Sequence, residues 1–221
     1  MKKNINIYVK GVLMNMAIAY IIVCLISYLI GGISFATIFS KKLAGVNIRE
    51  KGSKNPGSAN VLRSVGKKAA ALTLLCDALK GVIAVLIAMI VAKIWNNVDS
   101  DLIKYLAGII AVIGHTFPIY YRFKGGKGVA TSLGVILALN WKIGLICLIF
   151  AIIIIAITKT VSIGAMLSSI LYPILTIFIG EVRIMPIVIS ILMGLLVIFN
   201  HRENIKNIKN GTEGNITTKE Y

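Results

Sequence analysis

The feature that most limits this chain is the recurrence of long apolar segments from residue 17 to residue 200, separated by short polar stretches. A straight helix needs about 20 apolar residues to cross the hydrocarbon core of a bilayer, and thinned or broken helices need somewhat fewer. Segments of this kind fall at residues 17–39, 69–93, 102–121, 129–141, 143–158, 161–180 and 184–200. The expected fold is all-α, a polytopic membrane protein of about seven transmembrane helices, because helices satisfy their own backbone hydrogen bonds in lipid. Asn140-Trp141-Lys142 reads as an interfacial turn with an aromatic anchor between the short fourth and fifth helices. Merging those two gives six spans instead. Composition agrees, since 57% of the 221 residues are hydrophobic and 14% charged, against about 25% charged in soluble domains. No small-residue cleavage site follows the first segment, so a signal peptide is not expected there. Neither an internal repeat nor a separate soluble domain is visible, and residues 1–221 read as a single membrane domain.

Lys and Arg number 24 against 8 acidic residues, a net charge of +16. These cations lie between hydrophobic spans and not on one soluble surface, which argues against nucleic acid and for anionic lipid and phosphorylated substrates as partners. Positive loops stay in the cytoplasm. The connection at about 41–68 carries Lys41, Lys42, Arg49, Lys51, Lys54, Arg63, Lys67 and Lys68 against Glu50 alone. With seven spans, residues 122–128, Lys159 and the tail at 201–221 share that face, so the C-terminus is cytoplasmic. Asp99, Asp101, Glu181 and Arg183 take the other face. Lys2, Lys3 and Lys10 run against this orientation and are outnumbered by the first connection. Cys24, Cys76 and Cys147 are widely spaced inside apolar runs and read as core residues, not as a metal pattern or a disulfide framework.

Between the third and fourth segments stands Phe123-Lys124-Gly125-Gly126-Lys127-Gly128-Val129-Ala130-Thr131. Glycine permits positive φ and close backbone approach, so the N–H groups of Gly125, Gly126 and Gly128 can converge on phosphate oxygens while Lys124 and Lys127 supply charge. Thr131 lies in the first turn of the next helix, whose N-terminus also favours an anion. This is not the nucleotide P-loop, because Gly128 stands where a magnesium-binding hydroxyl is needed and no strand precedes it. The competing reading is an ordinary cytoplasmic turn.

Two further stretches share the cytoplasmic face. In Gly52-Ser53-Lys54-Asn55-Pro56-Gly57-Ser58-Ala59-Asn60-Val61-Leu62-Arg63, the hydroxyls and amides of Ser53, Asn55, Ser58 and Asn60 suit a phosphate or glycerol pocket, and Arg63 can grip a phosphoryl group with two parallel bonds. In His201-Arg202-Glu203-Asn204-Ile205, a continued helix places His201 and Asn204 on one face, and imidazole is the side chain readiest to move a proton near neutral pH. Within the spans, Asp77 and Lys80 lie three apart on one helical face, as an ion pair supporting the site or as catalytic groups. His115 reads as a packing residue that supports the site.

Several enzyme classes are excluded. Tyr120 and Lys206 occupy the positions five after His115 and His201, so no His-x4-Asp acyltransferase pair exists, and no Gly-x-Ser-x-Gly nucleophile elbow appears. No metal site is expected, since His, Cys and carboxylates are not clustered and Asp77 with Lys80 cannot form a multi-Asp magnesium site.

The three stretches, in this order, closely resemble the PlsY family of bacterial acyl-phosphate:glycerol-3-phosphate acyltransferases, from about Tyr28 to Glu213. The resemblance implies a seven-helix inner-membrane enzyme that moves an acyl chain from acyl phosphate to the 1-hydroxyl of glycerol 3-phosphate, giving lysophosphatidate and phosphate. It implies no cofactor, no metal and no covalent acyl-enzyme. Carried onto matching positions, Ser53, Arg63, Lys127, His201 and Asn204 are the expected active-site residues, with the glycine turn holding phosphate. Two positions depart from the family pattern. Gly31-Gly32-Ile33-Ser34 stands where Gly-Ser-x-Pro is usual, which removes a hydroxyl or moves it to Ser34. Gly57-Ser58-Ala59-Asn60 stands for Gly-Ala-Thr-Asn, so the Thr hydroxyl is missing at Ala59.

Acyl phosphate is already activated, so direct displacement needs no nucleophilic Ser or Cys. The proton of the attacking hydroxyl goes to His201, oriented by Asn204, or to the phosphate of glycerol 3-phosphate itself. The fatty chain is expected in a groove between helices open to the bilayer. The rival reading is a phosphate or small-anion transporter, which would place ionisable groups near mid-membrane on broken helices.

Overall fold

The computed structural model describes residues 2–180 and 183–216, with residues 2–12 as backbone only. Glu181, the side chains of Lys2, Lys3 and Lys10, and tail residues 217–221 lie outside the described residues. Among these the fold is all-helical: α1 (Lys2–Gly31), α2 (Phe35–Ala44), α3 (Ser58–Ser64), α4 (Lys67–Ile94), α5 (Ser100–Thr116), a 3-10 turn (Ile119–Tyr121), α6 (Val129–Leu139), α7 (Trp141–Thr158), α8 (Val161–Phe178), α9 (Ile184–Asn200) and α10 (Arg202–Lys209).

Length and composition alone identify five or six of the expected seven spans. Five segments are long and apolar enough to cross a bilayer: Leu13–Ala44, Lys67–Ile94, Ser100–Tyr121, Trp141–Thr158 and Val161–Phe178. Helix α9 makes a sixth only together with α10, from which it is bent by 53°. Helix α6 has 11 residues, about 16 Å of rise, roughly half the hydrocarbon thickness. It is nevertheless a separate helix from α7. Asn140 leaves the helical region and its side chain accepts from the Ile143 N–H at 3.2 Å, capping α7.

The expected first span is also interrupted. Ser34 has extended backbone and its Oγ accepts from the Thr37 N–H at 3.4 Å, which starts α2 afresh. Its hydroxyl therefore serves as a helix cap. Helix α3 lies within the connection at 41–68, which leaves residues 45–57 and 65–66 outside helices.

Helix α4 is the central post, packed against α1, α2, α3, α5 and α6. Lipid tails give no hydrophobic drive for helix association, so close backbone contact must supply it. At Gly134 of α6 an added Cβ would stand 1.9 Å from the Ala78 carbonyl oxygen of α4, and at Gly81 one would stand 2.4 Å from the Thr131 oxygen of α6. Large apolar side chains such as Ile157, Phe178 and Leu195 point outward, whereas Asp77, Lys80, His115 and Thr131 are buried. This inversion of the soluble pattern fits a lipid surround. The cysteines are unbridged, with Cys147 in the core beside Ile143, Tyr172 and Met193.

The two ends of the bundle differ in chemistry. Asp101 at the start of α5 pairs with Lys104 and with Arg183, and His115 lies 14 residues further along the same helix, about 21 Å away. The polar stretches gather at the His115 end. Gly134→Val is expected to destabilise the fold by about 1–3 kcal/mol through overpacking against α4. Thermal unfolding in detergent checks this, with Leu195→Val on the outward face as the neutral control.

Candidate active site

Residues 45–57, the turn at 119–128 and the α9–α10 junction meet around a cleft of about 720 Å³. Its walls include Arg49, Ser53, Asn55, Lys124, Lys127 and Asn204. Three stretches distant in sequence are thereby brought to one place.

The glycine turn is built differently from the expected cradle. Arg122 and Phe123 adopt positive φ and turn the chain back toward α5. The N–H groups of Gly125 and Gly126 then donate to the carbonyls of Thr116 and His115 at 2.9 and 3.1 Å. These two amides are spent on holding the turn against the end of α5, so they are not free donors for phosphate. An added Cβ at Gly125 would lie 2.0 Å from the His115 oxygen, so glycine here permits close approach. Gly128, at φ +87°, precedes α6. Gly126, Gly128 and Thr131 do not line the cleft; Thr131 is fully buried, its hydroxyl without a partner. Lys124, Gly125 and Lys127 remain at the wall.

In the first loop, Asn60 is also reassigned. It is 1% exposed, and its Nδ2 donates to the Ile48, Lys51 and Asn55 carbonyls at 3.3, 3.0 and 3.1 Å. Its Oδ1 accepts from the Ser53 N–H and the Ser64 hydroxyl, both at 3.2 Å. Every polar valence of this amide goes to folding the loop, which leaves none for a substrate. Ser58 opens α3 away from the cleft wall, while Ser53 and Asn55 stand on it. Arg63, in the last turn of α3, donates to the Gly214 carbonyl at 3.5 Å and is near enough to Lys127 to depress its pKa.

The third stretch is completed by the tail. His201 joins α9 to α10, 3% exposed, and its Nδ1–H donates to the Val197 carbonyl at 2.7 Å. That bond places the ring's lone pair on Nε2. Asn204 accepts from the Lys127 ammonium through Oδ1 and donates from Nδ2 to Glu213 at 2.6 Å. The same Glu213 oxygen accepts from Ser162 at 2.7 Å, and the Ile216 N–H donates to the Lys159 carbonyl at 2.8 Å. Residues 213–216 therefore strap α10 to the α7–α8 turn and orient the amide that holds Lys127.

Burial lowers Lys127 to about 8, with Glu213 opposing and Arg63 adding to the shift. Burial lowers His201 to about 4; its bond to Val197 and the Glu213 charge oppose this, and the Lys127 charge adds to it. At neutral pH the site thus holds a charged lysine beside a neutral imidazole.

Asp77, Lys80 and His115 meet behind the turn. The Lys80 ammonium stands 2.8 Å from Asp77 Oδ1, 2.8 Å from His115 Nδ1 and 2.7 Å from the Ile33 carbonyl oxygen. Among the described residues no group of three His, Cys, Asp or Glu side chains is arranged to hold a metal.

Two site residues escape sequence reasoning. Arg49 lines the cleft, stacks 4.1 Å above the Tyr121 ring and donates to the Lys124 carbonyl at 2.5 Å, so it clamps the first loop to the glycine turn. It stands out in sequence only as one of many loop cations. Glu213 is the sole acid of the segment from 204 to 216, and that isolation is a signal that could have found it. Beside the cleft, Val129, Ile136, Leu148, Ala165, Met193 and Val197 line an apolar pocket of about 70 Å³ between α6, α7, α8 and α9.

Comparison with known proteins places this geometry. Residues 21–211 match the family model described as glycerol-3-phosphate acyltransferase. The glycerol-3-phosphate acyltransferase of Clostridioides difficile (strain 630) is 46% identical over 201 residues, covering 91% of this chain and 97% of the relative. That of Neisseria meningitidis serogroup C is 42% identical over 194 residues, covering 88% and 96%. Two crystal structures of PlsY, an integral membrane glycerol 3-phosphate acyltransferase, share the fold. The glycerol 3-phosphate form superposes with a TM-score of 0.80 at 34% identity over 89% of this chain and 94% of that one. The lysophosphatidic acid form gives 0.78 at 33% over 90% and 96%. This all-helical, multi-pass membrane chain belongs to the glycerol-3-phosphate acyltransferase family.

Proposed function

We propose that the protein transfers an acyl chain from acyl phosphate to the 1-hydroxyl of sn-glycerol 3-phosphate, giving 1-acylglycerol 3-phosphate and inorganic phosphate, the first step of phospholipid synthesis. The observation that carries this is the juxtaposition of a cationic cleft and an apolar pocket, with Lys127 on the wall of one and Val129 on the wall of the other. Two anions and a fatty chain can meet there.

The chemistry is direct displacement. The substrate hydroxyl oxygen attacks the acyl carbonyl carbon, the carbon–oxygen bond to phosphate breaks, and phosphate leaves with the electron pair. Positioning and charge stabilisation are the protein's contribution. Lys124, Lys127, Ser53, Asn55 and Arg49 face the phosphoryl groups from the cleft wall, and Arg63 acts from behind Lys127. The Nε2 lone pair of His201 is the candidate proton acceptor, with Asn204 setting Lys127 beside it. A base of pKa about 4 is weak, but a bound phosphate dianion raises it, because a nearby negative charge favours imidazolium. The phosphate of glycerol 3-phosphate, whose second pKa is about 6 by analogy with other phosphomonoesters, is the alternative acceptor. The positively charged connections support a bacterial inner-membrane location with the cleft and the C-terminus on the cytoplasmic side. A phosphate transporter is the lesser reading: the cleft's polar groups sit at one end of the bundle, and the buried ionisable groups are bonded to one another.

In detergent, phosphate release from palmitoyl phosphate is expected only when glycerol 3-phosphate is also present; no release with both substrates removes the enzyme reading. Replacing His201 with Ala is expected to lower kcat at pH 7 by about 100-fold or more, the usual range for a lost general base. Retention of most turnover would transfer the role to the substrate phosphate. Lys127 loses its charge as pH rises through about 8. So kcat/KM for glycerol 3-phosphate is expected to fall above that pH, and Lys127→Arg to abolish the fall.

A further inference from the structure

Lys80 is 2% exposed, as is Asp77, and His115 is 8% exposed. An ammonium group has three N–H bonds and no lone pair. Here all three have acceptors: the Asp77 carboxylate, the Ile33 carbonyl at the α1–α2 break, and His115 Nδ1. A donor at Nδ1 forces the proton of a neutral imidazole onto Nε2. Asp77 cannot reverse this assignment, because it lies 3.7 Å from Nδ1, beyond hydrogen-bond reach. The ring is thus fixed in tautomer and orientation by a cation that is itself tied to α4 and to the break in the first span.

The far edge of that ring meets the glycine turn. A Cβ built at Gly126 would stand 2.2 Å from His115 Nε2 and 2.9 Å from Cε1. The Gly126 N–H is also bonded to the His115 carbonyl at 3.1 Å, so one residue of α5 holds Gly126 by backbone and by side chain. The next residue is Lys127.

We infer that Asp77, Lys80 and His115 are positioning residues for acyl transfer: together they form a buried strut that sets the glycine turn, and so places Lys127 over the substrate phosphate. The inference rests on the reading of the cleft as the acyl-transfer site. It assigns the cluster a task beyond satisfying its own charges, since an ion pair that served packing alone need not reach the turn.

The test uses the full chain in detergent. It has only two histidines, and the structure gives them opposite tautomers, so 15N-histidine NMR resolves both, with His115→Asn assigning the signals. At pH 7 His115 is expected to carry its proton on Nε2 and His201 on Nδ1. Lys80→Met is expected to change the His115 signal, leave the His201 signal in place as a sign of intact folding, and raise KM for a phosphorylated substrate about tenfold or more with kcat little changed. His115→Asn removes Nε2 and Cε1, the atoms closest to a methyl group at position 126, and keeps an acceptor opposite Lys80. It is therefore expected to restore activity to Gly126→Ala, so that the double variant exceeds Gly126→Ala alone by about threefold or more. A proton on His115 Nδ1, an unchanged KM in Lys80→Met, or multiplicative losses in the double variant would each overturn the strut. Absence of acyl transfer in the unmodified protein would instead overturn the reading of the cleft, and the tautomers would still decide the cluster.

Discussion

Lys127 is a cation largely removed from water and given a neutral amide as its direct partner. Desolvation of this kind is unfavourable unless charge is supplied from elsewhere. Glu213 supplies some of it at one remove, through Asn204. On the proposed reading, the remainder is a demand for an anion that the substrate phosphate meets. A carboxylate placed directly on Lys127 would satisfy the ammonium and compete with phosphate. An amide holds the side chain in place without doing so.

The rest of the bundle serves to hold three polar stretches around that lysine. Helix α4 grips α6 backbone to backbone, which fixes the start of α6 just after the turn. Helix α5 binds the turn through its last carbonyls. Arg49 bridges the first loop to the turn, and residues 213–216 lash α10 to the far helices. The ties to the carbonyls of His115, Thr116 and Lys159 use acceptors that helix ends leave unpaired.

Much of this was legible in the sequence. The apolar segments marked the helices, and the three polar stretches marked the residues that converge. What was not legible followed from short-range competition for hydrogen bonds. Asn60 looks like a substrate ligand by type, but the carbonyls of residues 48, 51 and 55 claim its amide once the loop closes. Gly125 and Gly126 look like a phosphate cradle, but α5 ends where its carbonyls can take their N–H groups. Hydropathy counts apolar residues and is blind to a single extended residue, so it missed the break at Ser34. Glu213 depends on the tail folding back over 9 residues to reach Asn204, which no periodicity encodes.

Equilibrium binding of glycerol 3-phosphate to the purified protein tests anion capture by Lys127 most directly. Calorimetry at pH 7 is expected to show glycerol 3-phosphate binding while glycerol does not bind at the same concentration, weakening as salt is raised and vanishing in Lys127→Met. Equal binding of glycerol and glycerol 3-phosphate, or undiminished affinity in Lys127→Met, would contradict it.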